Sequence, residues 1–232
     1  MKFFLFIVLY ACSISSSAQK TVDVTTNDIN ALSTSFFNVV GGEPFVLAKF
    51  TKLVEGTPYF KEEWMKGNII INGEKEYTGI YLKLDLFDNE VHYQDPKGIE
   101  MIATGLVQKI ILFDTAAQQV FNFVNGVYIQ ANSRVKGWYQ LLVNGKASLF
   151  KQINKQLREN KPYGSATIEQ SIISSSHYYI LYNGIFTEIK KIRDLPGILN
   201  DKKEEVVQYI KNLSGKSDDD FENVINYFNG LK

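Results

Sequence analysis

Two histidines are the side chains best suited to proton or metal chemistry in this sequence, and each is followed by a tyrosine. His92 and His177 both lie on segments that are predicted to form strands. Two imidazoles at comparable strand positions could share a metal ion with Asp85 or Asp95, since imidazole and carboxylate groups bind divalent metals. The spacing offers neither HxH nor HExxH. We therefore predict no metal site and no cofactor.

Hydroxyl and carboxylate groups also form short runs, but their spacing does not indicate catalysis. Serines at 174–176 precede His177, yet neighbours on a strand point to opposite faces, and no GxSxG elbow is present. Acidic residues pair at 62–63 and form a triplet at 218–220, where a helix N-terminus after Ser217 would favour negative charge. Phosphate-binding GxGxxG and GxxxxGK[ST] motifs are absent. The sequence names no catalytic residue.

Aromatic side chains are the most unusual feature, with 16 Phe, 13 Tyr and 2 Trp. Many aromatics fill β-sheet cores, but exposed ones stack on sugars or grip apolar ligands and protein partners. Two patches stand out, one around residues 59–64 and one at 138–139. Together with the histidines they give the candidate binding residues, which are Tyr59, Trp64, His92, Trp138, His177 and Tyr178.

Four Asn-Gly pairs, each between apolar or aromatic runs, predict the elements that must position these residues. The pairs begin at positions 72, 125, 144 and 183. Asn-Gly suits a two-residue hairpin because both residues accept positive φ, and antiparallel strands need no long crossover. For residues 45–193 we predict a mainly β domain, an antiparallel meander in a curled or barrel-like sheet. The polar stretch 155–176 is predicted to be a long surface loop.

The two ends of the chain differ from this β domain. Residues 19–44 form a leading segment with a short predicted helix near Phe36, which the following Gly-Gly pair ends. Residues 194–232 predict two short C-terminal α-helices that pack on the sheet. The second helix should begin with a capping box between Ser217 and Asp220.

The N-terminus, residues 1–18, has the features of a secretory signal. Lys2 precedes an apolar run at 3–11, and small polar residues follow. Such a leader is removed on export, so we expect a periplasmic or extracellular protein. The run is much shorter than the roughly 20 residues that span a bilayer, so no transmembrane span is predicted. The alternative is a lipoprotein anchored through Cys12, since residues 9–12 resemble an imperfect lipobox.

Charge and cysteine content exclude several classes of function. The chain has 25 basic and 25 acidic residues, and the leader holds only Lys2. An almost neutral protein without a basic block is not expected to bind nucleic acid. Cys12 is the only cysteine. Disulfides, thiol catalysis and cysteine-ligated zinc are therefore not expected in the exported protein, which must be stabilised by its hydrophobic core.

Two segments in the middle of the chain carry longer motifs. GTPYFKEEWMKG at 56–67 fits the pattern GxPYFxxxWxxG, and residues 82–91 fit LxxDLxxNEV. With the DKK at 201–203 and the YFN at 227–229, they resemble a group of exported proteins of Bacteroidota-type Gram-negative bacteria. The likeness covers most of the chain after the leader. That group has no known activity, so the resemblance implies envelope export and supplies no site residues.

These features favour an exported, non-catalytic binding or interaction protein of the cell envelope. Its partner would be an envelope protein, a glycan or an apolar small molecule. The alternative is a hydrolase that acts on an envelope substrate through carboxylates that meet only in the fold, such as Asp85, Asp95 and Glu100 near His92. Strand alternation predicts a solvent-facing Asp85, which counts against this enzymatic alternative.

Overall fold

The computed structural model describes most of the chain after the leader. It covers residues 20–23, 36, 38–45, 50, 52–71, 75–130, 135–164, 167–211, 213–215 and 217–231. The predicted signal at 1–18, Cys12 and the turn at 72–73 lie outside these residues. Within them, no helix is both long enough and apolar enough to cross a membrane.

The described residues form one large, mostly antiparallel sheet with helices at its C-terminal end. The strands are β1 (Lys20–Asp23), β2 (Glu43–Pro44), β3 (Leu53–Glu55), β4 (Met65–Ile71), β5 (Lys75–Asp85), β6 (Glu90–Gln94), β7 (Glu100–Ile102), β8 (Val107–Asp114), β9 (Gln119–Asn125), β10 (Trp138–Val143), β11 (Ala147–Asn160), β12 (Glu169–Tyr182) and β13 (Ile185–Ile189).

Two meanders make up the sheet and share one seam. Strands β4 to β7 form the first meander and β8 to β13 the second, and β8 returns to pair antiparallel with β4. The path of neighbouring strands ends at β13 on one side and at β2 on the other, so the sheet is open and is not a barrel. The predicted mainly β, antiparallel fold is confirmed.

The first meander buries large apolar side chains on one face of the sheet. Leu82 and Leu84 of β5 are fully buried, and they lie opposite Tyr93 and Val91 of β6. Phe36, which lies in the helical segment before β2, packs edge-on against the ring of Tyr93 at 5.5 Å. The leading segment thus closes the core of the first meander.

The second meander shows what the Asn-Gly pairs do. Asn183 and Gly184 have φ of 50° and 75°, as the predicted two-residue hairpin between β12 and β13 requires. The pair at Asn144 joins β10 to β11. The pair at Asn125 does not make a hairpin. It starts a 3₁₀ turn, Gly126–Tyr128, and the Asn125 side chain accepts a hydrogen bond from the Val127 N–H.

The predicted loop at 155–176 is wrong. Strands β11 and β12 are 14 residues long, and they stay paired out to Asn160 and Glu169. Residues 156–160 of β11 are all exposed, whereas Gln170 and Ile172 of β12 are buried where β3 joins the ribbon. A two-stranded antiparallel ribbon bonds its own backbone, so its side chains can be polar on both faces, and polarity alone did not reveal the strands.

A short parallel pairing joins β3, which precedes the first meander, to β12 of the second meander. The paired residues are far apart in the sequence. β3 pairs with Gln170 and Ser171 of β12, and the Gln170 N–H donates to the Lys52 carbonyl at 2.9 Å. Gly56 has a φ of 81°, and a Cβ there would collide with the carbonyl oxygen of Ile172. Only glycine fits this close approach. We refer to β3 and its partners in β12 as the parallel clip.

The C-terminal helices cover the second meander. They are α1 (Leu195–Ile198), α2 (Lys203–Ile210) and α3 (Asp218–Gly230). The predicted capping box is present: Ser217 accepts from the Asp220 N–H, and the Asp220 side chain accepts from the Ser217 N–H. Val206, Phe221, Val224, Ile225 and Phe228 form a buried stripe against Leu149 and Ile180 of the sheet.

Candidate functional site

Residues 58–60 run alongside the end of β5, and their side chains help to cover the outer face of the first meander. The backbone bonds to β5 and to the turn that follows: the Phe60 N–H donates to the Leu84 carbonyl, and the Leu86 N–H donates to the Pro58 carbonyl. Tyr59 forms an antiparallel bridge with Asp85. Asp85 is only 1% exposed. The prediction that strand alternation turns Asp85 to solvent is wrong, because its carboxylate bonds to the following turn and aromatic side chains cover that face of the sheet.

Three of the six candidate binding residues meet beneath and beside this segment. The Lys83 ammonium lies 4.7 Å from the ring centroid of Tyr59 and 5.0 Å from that of Trp64. The Tyr59 ring packs edge-on against the His92 ring at 5.5 Å. Lys83 and His92 are cross-strand partners on β5 and β6, so they share the covered face. Phe45 covers the His92 ring from another direction, at 4.9 Å.

His92 lies between carboxylates, and we call this group the His92 cluster. Its Nδ1 is 2.7 Å from a Glu100 oxygen, and its Nε2 is 3.4 Å from a Glu90 oxygen. One ligand atom from each of Asp85, Glu90 and His92 lies within 4.8 Å of the others. The imidazole is fully buried, while Glu90 and Glu100 are 33% and 27% exposed. The cluster therefore reaches solvent through its glutamates.

The carboxylates named for the enzymatic alternative only partly come together. Asp85 and Glu100 belong to the surroundings of His92, and an Asp85 oxygen also accepts the Phe87 and Asp88 N–H groups of the following turn. Asp95 caps the turn at 95–98, where its carboxylate accepts from the Lys97 and Ile99 N–H groups at 2.8 Å.

Trp64 also lines a groove on the surface beside the covering segment. The groove has a volume of about 510 Å³, and we call it the Trp64 groove. The residues that line it are Lys61, Glu63, Trp64, Met65, Lys66, Tyr81, Phe113, Asp114, Thr115 and Ala116.

Aromatic and charged groups alternate around this groove. Tyr81 is 44% exposed, and the Lys66 ammonium lies 5.8 Å from the centroid of its ring. Lys61 donates to Asp114, and this hydrogen bond holds the pKa of the Asp114 carboxyl below its usual value. The groove therefore presents aromatic surface together with fixed donors and acceptors.

His177 and Tyr178 lie elsewhere, on β12 beside the docked helices. They line a cleft of about 360 Å³ together with Ser176, Glu188, Ile189, Lys190, Gly215 and Phe221. His177 Nδ1 is 3.2 Å from a Glu188 oxygen. The Tyr178 ring stacks on Phe221 of α3 at 4.3 Å. Tyr178 thus contributes to helix docking as well as to the cleft.

Two matched triplets of tyrosine, aspartate and lysine fasten the helices to the sheet. Lys151 and Tyr178 both donate to Asp218, and Lys146 and Tyr182 both donate to Asp201. Burial and the bond to Asp218 raise the pKa of Tyr178. Burial also acts to raise the pKa of Asp218, but the bonds from Lys151 and Tyr178 outweigh it, and the pKa lies below its usual value.

Trp138 belongs to the core. It is 3% exposed, and its indole N–H donates to the Asn89 carbonyl at 3.3 Å. A ring buried in this way holds the turn between β5 and β6 in place and presents no face to a ligand.

Sequence reasoning missed Glu90, Lys83, Tyr81 and Lys66 as parts of these sites. For Glu90 a signal existed, since Glu90 and His92 are two apart on one strand and so share a face. Asp85 and Glu90 also flank the predicted turn, which makes them cross-strand partners. The sequence had no comparable signal for the pairing of residues 58–60 with the end of β5.

Comparison with known proteins identifies no relative of this chain. No protein family, no curated protein and no solved structure matches the chain. The function of these sites is therefore inferred from their geometry.

Proposed function

We propose that this is an exported binding protein of the cell envelope that holds a saccharide in the Trp64 groove. The single observation that carries the proposal is the groove itself. A volume of about 510 Å³ lies within the range of small-ligand sites. No other described cleft combines that volume with a tryptophan and a half-exposed tyrosine.

A saccharide fits the chemistry of the groove better than the other predicted partners do. Sugar rings have apolar faces that stack on aromatic side chains, and their hydroxyl groups need donors and acceptors at the edges. Trp64 and Tyr81 supply the faces, and Glu63, Lys66 and the Lys61–Asp114 pair supply the edge groups. A purely apolar ligand would leave these charged groups without compensation.

Export is a part of this proposal that depends on the sequence. The leader at 1–18 has the order of charge, apolar run and small residues that export machinery recognises. The motifs at 56–67 and 82–91 resemble those of exported envelope proteins. Segment 56–67 also contains five of the residues that line the groove.

Binding can be tested with a glycan array of neutral and acidic envelope-type oligosaccharides, probed with the chain from Gln19. We expect a subset of glycans to bind, and Trp64→Ala to weaken binding by at least about tenfold, since one aromatic stacking contact is worth roughly 1 to 3 kcal/mol. Tyr163→Ala is the control, because Tyr163 is a fully exposed aromatic outside the groove. Unchanged binding by Trp64→Ala, or an array without any bound glycan, would refute the proposal.

The enzymatic alternative has one observation in its favour. Asp85 and Glu100 do converge on His92, together with Glu90. A carboxylate-dependent hydrolase would release reducing sugars from envelope polysaccharide, and Glu100→Gln would abolish that release. The rings of Tyr59 and Phe45 cover His92, however, and leave a substrate only the glutamate edge. This enclosure is why saccharide binding is the preferred function.

A further inference from the structure

We infer that Asp85, Glu90 and His92 form a binding site for one divalent transition-metal ion of the zinc class. The inference is independent of the saccharide groove. It concerns the covered face of the first meander, and Glu100 would orient the imidazole from behind.

The hydrogen bonds of His92 fix which ring nitrogen faces the site. Glu100 approaches Nδ1 at 2.7 Å, and a carboxylate can only accept, so Nδ1 carries a proton. In the neutral ring Nε2 then presents a lone pair, and it faces a carboxylate oxygen of Glu90. A divalent cation between these two atoms would bind the lone pair of Nε2 and the carboxylate oxygen together.

The separations of the ligand atoms suit a small ion. Ligands about 2.0 to 2.1 Å from zinc in a tetrahedral site lie roughly 3.3 Å from one another. His92 Nε2 and the Glu90 oxygen are 3.4 Å apart, which is long for a charge-assisted hydrogen bond. The third ligand atom, from Asp85, lies within 4.8 Å of both, so a small side-chain movement would bring it to the ion.

The local charge balance also favours a cation. Asp85, Glu90 and Glu100 gather around one imidazole. Two lysines face the same region: Lys83, whose ammonium lies over the Tyr59 ring, and Lys155, which interacts electrostatically with Asp85 and Glu62. Carboxylates gathered around one imidazole repel one another, and a divalent ion between them would reduce that repulsion.

The arrangement around the ligands resembles that of known metal sites in its chemistry. A ligating histidine commonly donates its second ring N–H to a carboxylate, which fixes the ring and raises its basicity. Glu100 is placed to do this. Imidazole with two carboxylates suits zinc and neighbouring divalent metals better than it suits calcium or magnesium, which prefer all-oxygen sites.

Isothermal titration with zinc chloride tests the inference on the exported chain after dialysis against EDTA. We expect one site with a dissociation constant of about 10 μM or tighter. Glu90→Gln should weaken binding at least tenfold by removing a ligand. Glu100→Gln should weaken it by about tenfold or more, since the ligand would lose its orienting partner.

One control variant, Glu188→Gln, serves for both substitutions. Glu188→Gln removes the carboxylate beside His177, which has the same Nδ1 contact but belongs to no such cluster. It should leave zinc affinity unchanged. Glu90 and Glu100 are partly exposed, so both variants should fold, and a thermal melt in EDTA verifies this.

A second measurement distinguishes a built site from weak surface binding. Cobalt(II) should give visible absorption bands of a low-coordinate site with the parent chain and with Glu188→Gln, but not with Glu90→Gln. The inference is overturned if zinc does not bind at millimolar concentration, or if Glu90→Gln binds as tightly as the parent.

Discussion

The helix-docking side of the sheet and the His92 cluster use similar side chains in opposite ways. On the docking side each aspartate receives both a lysine and a tyrosine, as in Lys151 and Tyr178 on Asp218. In the His92 cluster the imidazole has carboxylates at both ring nitrogens. On the docking side two aspartates each accept from two side-chain donors, while around His92 several carboxylates gather about one imidazole.

This difference separates structure from binding. Buried or half-buried ionic groups that are fully hydrogen-bonded fix one packing of two elements, here helices on a sheet. Carboxylates gathered about one imidazole repel one another, and a bound cation would relieve that repulsion. The two regions should therefore respond differently to mutation: the docking side through stability, and the His92 cluster through ligand affinity.

The largest expected effect comes from breaking the docking side at its apolar centre. Phe221 is 3% exposed and stacks on Tyr178. Phe221→Ala should lower the free energy of unfolding by about 3 to 5 kcal/mol, because it removes a large buried ring and leaves a cavity. Urea denaturation measures this loss. Zinc affinity, measured where the variant is still folded, should stay within about twofold of the parent.

Asn226→Ala on the exposed side of α3 is the control for Phe221→Ala and should change stability by less than about 0.5 kcal/mol. If Phe221→Ala weakened zinc binding as strongly as it weakens the fold, the two regions would not be independent.

A smaller effect is expected from the charged centre of the docking side. Asp218→Asn should cost about 1 to 2 kcal/mol, a value reduced for the partial exposure of the carboxylate. Asp219→Asn removes the same charge from the same helix N-terminus but leaves the Lys151–Asp218 bond intact. The difference between the two variants therefore separates the contribution of the triplet from that of the helix dipole. Equal losses in the two variants would show that the triplet contributes nothing beyond that dipole.

The pH dependence of the Asp218→Asn effect follows from the two pKa shifts. The lowered pKa of Asp218 means that its contribution is present above the unfolded pKa near 4 and is lost as pH falls through the folded pKa. The raised pKa of Tyr178 adds stability below about pH 10 that is lost as pH rises beyond it. The difference from the parent should therefore be flat from about pH 5 to pH 9 and smaller outside that window.

The smallest expected effect is a change in the zinc affinity of the His92 cluster. Lys155 is half-buried, and burial lowers its pKa, although the charges of Glu62 and Asp85 oppose this shift. Lys155→Gln removes a cation that competes with metal for Asp85, so zinc should bind about threefold to tenfold more tightly. Lys161→Gln removes the same charge from the exposed end of the ribbon and should leave the affinity unchanged. Weaker binding by Lys155→Gln would contradict the charge argument.

Local chemistry made some of this fold predictable. The turn at Asn183 and Gly184 and the capping box at Ser217 depend on a few adjacent residues, and both are present as predicted. The ribbon beyond Lys155 was missed, because residues 156–160 of β11 are polar or exposed throughout and the alternation in β12 depends on β3, which is far away in the sequence. This part of the ribbon is held together by backbone hydrogen bonds between β11 and β12.

The candidate site was less predictable than the fold. Tyr59, Trp64 and His92 come together as one neighbourhood because residues 58–60 pair with the end of β5 and place aromatic side chains on its outer face. No periodicity in the sequence specifies this pairing. The same aromatic side chains help to bury Asp85, whose exposure was predicted wrongly for that reason.

The parallel clip has a consequence for how the chain folds. Its ion pair joins Lys52 to Glu169, which are 117 positions apart, whereas the hairpins close over a few residues. Closing a long loop costs more entropy than closing a short one, and such contacts slow folding. We expect the hairpins to form first and the clip last. In the native protein the clip should also open first, so amide hydrogens of β3 should exchange with solvent well before those of β5.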